Sequence, residues 1–242
     1  MTTTTALLLH GASGRMGRRL LECLPEFPGL VLAAAVSRRP EALQVPAAHT
    51  LAADRLDAAP SFGLLVDFSL PGAFDAALDL AVSRRAAFVS GTTGLSPAQF
   101  AALDAAAARI PVLWAANFSL GVAVLVDLVE RAARALPGWD LDIVESHHVH
   151  KLDAPSGTAL ALGAAAGACG ASPRYASLRA GDIVGEHWLQ FAGQGERVEL
   201  AHRATSRDIF ARGALAVGEW LVHQPPGRYA MRDWVASRGL RG

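Results

Sequence analysis

The run Thr5-Ala6-Leu7-Leu8-Leu9-His10-Gly11-Ala12-Ser13-Gly14-Arg15-Met16-Gly17 decides the fold. Residues 5–10 form an apolar stretch of the kind found in a short strand buried on both faces. Gly11, Gly14 and Gly17 follow at once, and Arg18, Leu20, Leu21 and Leu24 then keep a helical period as far as Pro25. Strand, glycine-rich turn and helix in that order open a dinucleotide-binding fold. The first glycine permits a tight turn, the second a close approach to a pyrophosphate, and the third close packing of helix on strand. The phosphate then meets free N–H groups and the positive end of the helix dipole. Alone the spacing is weak, because a merely structural turn uses glycine as freely. Its place at the head of an alternating series gives it weight.

That series continues with an apolar run at 30–36, which ends at Ser37-Arg38-Arg39-Pro40. Residues 41–61 are weakly patterned. A strand at 64–68, a helix near 73–85, a strand at 87–90 and the turn Gly91-Thr92-Thr93-Gly94 come next. Ser96-Pro97 is a cap and first-turn signal for a helix through Arg109, and 111–115 is another strand. The alternation predicts an α/β chain: a Rossmann-type parallel sheet with helices on both faces, followed by a smaller α+β domain. The loops Phe68-Ser69, Gly91-Thr92-Thr93 and Ala116-Asn117-Phe118-Ser119 fall at the carboxyl ends of their strands, where such sheets bind ligands. Their small and hydroxyl residues suit a nicotinamide ribose and ring, although any one of them alone is an ordinary loop.

After Asn117 the rhythm changes. A long apolar helix at 120–136, a strand at 141–145, a loop at 146–156 and an Ala/Gly-rich helix at 157–168 precede strands between Tyr175 and Thr205. A helical period over 208–222 leads to Pro225-Pro226. Two domains are expected: 1–119 for a dinucleotide, with 211–242 returning to it, and 120–210 for the substrate.

Composition narrows the partners. The 242 residues are 52% hydrophobic and 18% charged, a globular balance, and 22 basic residues face 22 acidic ones. Such neutrality gives no footprint for nucleic acid or an anionic membrane. Met1 to Thr5 lacks the basic region of a signal peptide, and the apolar run at 6–9 is too short to span a bilayer, so a cytoplasmic protein is expected. Cys23 and Cys169 have no CxxC spacing and read as buried, reduced thiols in apolar helical stretches.

The densest chemistry is Glu145-Ser146-His147-His148-Val149-His150-Lys151-Leu152-Asp153-Ala154-Pro155-Ser156-Gly157-Thr158. Three readings compete for it. A metal site would need three histidines within four residues of one loop to aim at one ion without a thiolate nearby, and no metal is expected. A solvated basic loop is the plain alternative. The favoured reading is an anion-binding, proton-handling site. Lys151 is the sole lysine in a chain with 21 arginines, and lysine can release a proton where arginine cannot. Ser156-Gly157-Thr158 starts a helix with a capping hydroxyl and N–H groups suited to a carboxylate.

The run from Ser146 to Thr158 resembles the signature loop of dihydrodipicolinate reductases of the lysine pathway. Gly11–Gly17 with Arg15-Met16, Asp67-Phe68-Ser69, Gly91-Thr92-Thr93-Gly94, Ala116-Asn117-Phe118-Ser119 and Arg179-Ala180-Gly181-Asp182-Ile183-Val184-Gly185-Glu186-His187 resemble further motifs of that family, in family order. The resemblance implies hydride transfer from NAD(P)H to the ring of 4-hydroxy-tetrahydrodipicolinate with loss of water, giving tetrahydrodipicolinate for lysine and diaminopimelate. By position, His147 and Lys151 match the family's acid–base pair. His148, Gly157 and Thr158 match its substrate contacts. Gly11, Ala12, Ser13, Gly14, Arg15, Met16, Gly91, Thr92, Thr93, Ala116, Asn117, Phe118 and Ser119 match its cofactor contacts. The family's members are usually homotetramers built through their substrate domains, so a homo-oligomer is implied.

Two departures stand out. Where the family often carries an acidic residue at the end of the second strand, this chain has Ser37 followed by Arg38-Arg39. Ser37 and Arg38 are therefore expected at the adenosine ribose, with NADPH preferred and NADH possible. The chain between Ala168 and Arg179 is also shorter than the arm many members carry. Another small amino-acid dehydrogenase would share the first domain's logic without explaining the histidine–lysine loop, and a non-catalytic NADPH sensor would need no proton donor.

Overall fold

The computed structural model describes residues 4–239. Contacts divide the chain into two units, one running to Phe118 and resuming at Phe210, the other spanning Ser119–Ile209.

In the first unit strands and helices alternate as the apolar runs require: β1 (Thr5–His10), α1 (Arg15–Cys23), β2 (Leu30–Ser37), β3 (Thr50–Ala52), β4 (Leu64–Asp67), α2 (Pro71–Arg84), β5 (Ala87–Ser90), α3 (Pro97–Ala107) and β6 (Pro111–Trp114). Every pairing is parallel; with β11 (Gly227–Tyr229) at one edge, the order is β11-β6-β5-β4-β1-β2-β3, with β4 at its centre and β1 beside it. Period-two alternation splits the strand side chains between two layers. Leu8 and Leu65 pack with Phe74, Ala77, Leu78 and Leu103 of α2 and α3. On the other face a Cβ at Gly218 of α6 (Asp208–Leu221) would come within 2.8 Å of Leu64, so this helix lies close against β4. Pro97 at the first turn and a reciprocal Ser96–Gln99 capping box start α3 where the sequence signals it.

The second unit carries α4 (Leu120–Ala135), β7 (Asp140–His147), α5 (Gly157–Gly167), β8 (Pro173–Arg179), β9 (Gly185–Gly193) and β10 (Glu196–Ala204). Its four-stranded sheet has the order β10-β9-β7-β8, with β8 parallel to β7 and the other pairs antiparallel. Leu141, Ile143, Leu189 and Phe191 face a core shared with Leu125, Val129, Ala159 and Leu162 of α4 and α5.

Several expectations needed adjustment. Strand β7 continues to His147, so Ser146 and His147 are on the sheet and the loop starts at His148. The weakly patterned 41–61 holds three short 3₁₀ turns and β3. Beyond the Pro-rich turn the chain adds β11 and α7 (Met231–Ser237), which the sequence reading did not anticipate. Cys23 is buried, whereas Cys169 lies just past α5, half-buried, with Arg134 Nη1 at 3.2 Å. The reading of Met1 to Thr5 falls in part on residues 1–3, outside the described residues. Among the described residues no helix is long and apolar enough to cross a membrane.

Candidate active site

Tight backbone packing builds the glycine turn. Gly11 has a φ of +82°, and a Cβ there would lie 2.4 Å from the Phe68 carbonyl oxygen. A Cβ at Gly17 would meet the Gly11 carbonyl oxygen at 2.3 Å, and one at Gly91 would sit 2.2 Å from the Phe68 ring. Only glycine fits these approaches. Gly14 caps α1 without any side-chain hydrogen bond, and the first turn carries no acidic residue. A pyrophosphate fits this end, because its charge would complement the helix dipole that no side chain answers.

Below the turn, Asp67 gathers the strand ends. Its buried carboxylate accepts hydrogen bonds from His10 Nδ1 at 2.9 Å, Ser90 Oγ at 2.9 Å, Thr92 Oγ1 at 2.8 Å and the Ser69 N–H at 3.2 Å. Trp114 Nε1 donates to the Thr92 carbonyl at 2.8 Å, so the loop after β5 is held from two sides. Burial pushes the Asp67 pKa up, but hydrogen bonds from His10 and Ser69, the His10 charge and the Thr92 hydroxyl outweigh it and hold the group below its ordinary value.

The other cofactor-side residues differ in what they offer. Ala12 is buried, Ser13 and Met16 are half-buried, and Arg15, Thr93 and Ala116 are exposed. Ser37 is buried, and its hydroxyl is engaged, donating to Ser13 Oγ at 2.8 Å and accepting from the Arg39 N–H at 3.0 Å. Arg38 and Arg39 are exposed beside it. Asn117 is half-buried, and Phe118 packs its ring 5.5 Å from that of Phe68. Ser119 begins the second unit, where it caps α4 by accepting the Val122 N–H. A separate cavity of about 750 Å³, lined by Leu21, Phe27, Leu30 and Val45 among others, includes none of the predicted site residues.

In the second unit, β7 aims the histidine–lysine chemistry. Glu145 and His147 fall on the same inward face as Leu141 and Ile143 by strand alternation, and both are buried. His147 Nδ1 is hydrogen-bonded to Glu145 Oε2. Glu145 also accepts Arg179 Nη1 and Nη2 at 3.0 and 2.8 Å and the Ser156 N–H at 3.3 Å. Burial alone would raise the Glu145 pKa; hydrogen bonds from Arg179, Ser177 and His147 bring it to about 2. His147 is lowered from its ordinary value, chiefly by burial and further by the Lys151 and Arg179 charges, against an upward pull from Glu145.

His187 of β9 stands edge-on to His147, with centroids 5.4 Å apart, and its Nε2 lies 3.2 Å from Ser156 Oγ. Burial and the neighbouring His147 and His202 lower its pKa to about 4. Lys151 Nζ contacts both Asp153 carboxylate oxygens, at 2.8 and 2.9 Å. Ser156 caps α5 by accepting the Ala159 N–H, and Gly157 and Thr158 form that helix's first turn. The Ala154–Pro155 peptide is cis.

Thus His147, His148, Lys151, Gly157 and Thr158 lie on one strand end, the loop after it and one helix start, while the glycine turn and the loops after β5 and β6 lie at the carboxyl edge of the other unit's sheet. His147 turns inward to Glu145, whereas the His148 and His150 rings stand 6.3 Å apart. Among the described residues no group of three or more His, Cys, Asp or Glu is placed to hold a metal ion. The sequence reading gave no role to Glu145, Arg179, His187 or Asp67. The signal for Glu145 was present, since a carboxylate two residues before a histidine on a strand shares its face.

A parallel α/β unit with a glycine-cradled helix start, in one chain with a unit that carries a buried Glu145–His147 pair and a loop lysine, fits an NAD(P)H-dependent oxidoreductase. Residues 5–118 match the family model for the dihydrodipicolinate reductase N-terminus, and residues 121–235 that for its C-terminus. The chain belongs to the dihydrodipicolinate reductase family. It is 62% identical over 233 residues to a 4-hydroxy-tetrahydrodipicolinate reductase of Stenotrophomonas maltophilia strain K279a, covering 96% of this chain and 98% of that protein. A protein of the same name from Xylella fastidiosa is 55% identical over 236 residues, covering 97% and 100%. A dipicolinate-bound dihydrodipicolinate reductase from Paenisporosarcina sp. TG-14 superposes with a TM-score of 0.81 at 19% identity, covering 94% and 98%, which shows the shared fold.

Proposed function

We propose that the chain reduces 4-hydroxy-tetrahydrodipicolinate to tetrahydrodipicolinate, using NADPH and releasing water. The observation that carries this reading is the stretch from β7 to α5, which sets a buried imidazole and a lysine ammonium just ahead of a serine-capped helix start. Gly11, Ala12, Ser13, Gly14, Arg15 and Met16 hold the pyrophosphate, Ser37 and Arg38 flank the adenosine ribose, and Gly91–Thr93 with Ala116–Ser119 serve the nicotinamide end. Bound there, the nicotinamide supplies the hydride.

Breaking the ring C–OH bond with loss of a proton from the adjacent carbon releases water and leaves a conjugated imine. Hydride addition to the carbon that bore the hydroxyl then leaves an electron-rich neighbouring carbon that must be protonated, so a placed acid is required. His147 and Lys151 fill that role. His148, Gly157 and Thr158 take the substrate carboxylates, which suit cations and the N–H groups at a helix start. In the free protein Asp153 occupies the Lys151 ammonium, and a substrate carboxylate would compete for it. The dianion would also raise the pKa of His147, because nearby negative charge favours the protonated ring.

Arg38 and Arg39, exposed beside a strand end without a carboxylate, favour NADPH over NADH. The face of the four-stranded sheet away from α4 and α5 carries Val144, Ala176, Leu178 and Trp188, with Leu178 exposed, and supports a homotetramer built through these sheets. Cys23 and Cys169, which form no disulfide among the described residues, accord with a reduced, cytoplasmic setting. The test is NADPH oxidation with enzymatically generated substrate, scored against His147→Ala. Substrate-dependent oxidation in the wild type and its loss in the variant are expected. No oxidation by the wild type would reject the function.

A further inference from the structure

We propose that Glu145 and Arg179 act as one positioning device that sets both His147 and the Lys151 loop, an inference that rests on reading those two residues as the proton-handling pair. Its first half is a tautomer lock. Glu145 is fully buried, and its carboxylate accepts from Arg179 through two nitrogens, the Ser156 N–H, the Ser177 hydroxyl and His147 Nδ1. An ionised carboxylate can only accept, so the hydrogen on His147 sits at Nδ1. That leaves Nε2 as the atom that exchanges a proton. A Cβ at Gly185 would stand 3.0 Å from Nε2, so glycine there keeps that side of the ring clear.

The second half runs through the guanidinium. Besides gripping Glu145, Arg179 donates from Nε to the Lys151 carbonyl at 3.2 Å and from Nη2 to the Asp153 carbonyl at 2.6 Å. Backbone bonds from Val149 to Gly181 and from Ala180 to the His147 carbonyl join the same two segments. One buried carboxylate thus fixes the imidazole directly and the lysine loop through a single planar fork, which lysine could not reproduce. The charged or titratable groups facing His147 are Glu145 on β7, Arg179 on β8, His187 on β9 and Lys151 on the loop.

Nitrogen-15 NMR of histidine-labelled protein reads the tautomer without turnover. The expected result is protonation at Nδ1 of His147 at neutral pH. An Nε2–H tautomer in the wild type would overturn the proposal. In Glu145→Gln, kcat should fall by about 10²–10⁴-fold, as loss of a correctly held general acid does, with NADPH binding unchanged by fluorescence titration. The alkaline limb of its pH profile should move to lower pH, because a general acid is lost as pH rises through its pKa and Glu145 pulls the His147 pKa upward. In Arg179→Lys, kcat should fall and the substrate KM rise together, since the loop loses its fork. Wild-type kinetics and pH limb in both variants would sink the device while leaving the assigned reaction intact, whereas an inactive wild type would sink the reaction. If Glu145→Gln does not fold, the wild-type tautomer and Arg179→Lys decide.

Discussion

Replacing Asp67 by asparagine tests how the cofactor-side loops are held. The carboxylate is fully buried and has four donors around its two oxygens: His10 and the Ser69 N–H at Oδ1, Ser90 and Thr92 at Oδ2. An amide has the same shape but turns one oxygen into a nitrogen that cannot accept. With the nitrogen at Oδ1, His10 loses its acceptor while the Ser69 N–H keeps Thr92 Oγ1; with it at Oδ2, the Ser90 and Thr92 hydroxyls must give up donating there. Each buried group left without its partner costs about 1–3 kcal/mol, so one or two of them cost about 1–6 kcal/mol. At about 2–4 °C per kcal/mol for a chain of this length, Tm should fall by about 2–24 °C. The loop at Thr92 should loosen, raising the KM for NADPH more than that for the substrate. The pKa of Asp67 is depressed in the folded state, so its contribution is present above its ordinary value of 3.8 and is lost as pH falls through the lower folded value. The Tm gap between wild type and variant should therefore be full at pH 7 and shrink only in that acidic window. Calorimetry across pH with NADPH titration checks this. A variant that melts within a degree of wild type at pH 7 and binds NADPH equally would refute the reasoning.

Lys151→Arg keeps the charge but not an acid that can release its proton, so steady-state kinetics should show nearly the loss of Lys151→Ala, about 10²–10⁴-fold in kcat; near-full activity would make Lys151 a charge only. Arg38→Ala with Arg39→Ala should lower the NADPH-to-NADH ratio of kcat/KM by about ten- to a hundredfold, the worth of one charge-assisted bond of about 1.5–3 kcal/mol; an unchanged ratio would show that this strand end does not read the 2′-phosphate. Pyridine-2,6-dicarboxylate should compete with substrate, and Thr158→Phe should raise its inhibition constant together with the substrate KM, leaving NADPH binding alone; equal inhibition in the variant would remove Thr158 from the carboxylate site.

Much of the first unit was legible because its signals are local. The apolar run at 5–10, the three glycines and the Ser96-Pro97 cap each settle their own element. Strand β11 was not, since a three-residue edge strand has no period to read and exists only because β6 offers it a partner. The chemistry followed the same division. His147, His148 and Lys151 stand together in sequence and announce themselves. Arg179 reaches Glu145 from 34 positions away and Asp67 meets His10 from 57, and pairs of that kind are set by strand order. Ser37 illustrates a subtler gap: its place at the end of β2 suggested a ribose contact, yet the fold commits its hydroxyl to Ser13 and Arg39.

Isotope transfer tests the central claim most directly. NADPH carrying deuterium at the transferable C4 position should be incubated with the chain and enzymatically generated 4-hydroxy-tetrahydrodipicolinate, and the product analysed by mass spectrometry and NMR. The account predicts tetrahydrodipicolinate with one deuterium on the ring carbon that bore the hydroxyl, and none formed with His147→Ala. Oxidised NADPH without label in that product, or label at the same carbon at the wild-type rate in the His147 variant, would contradict it.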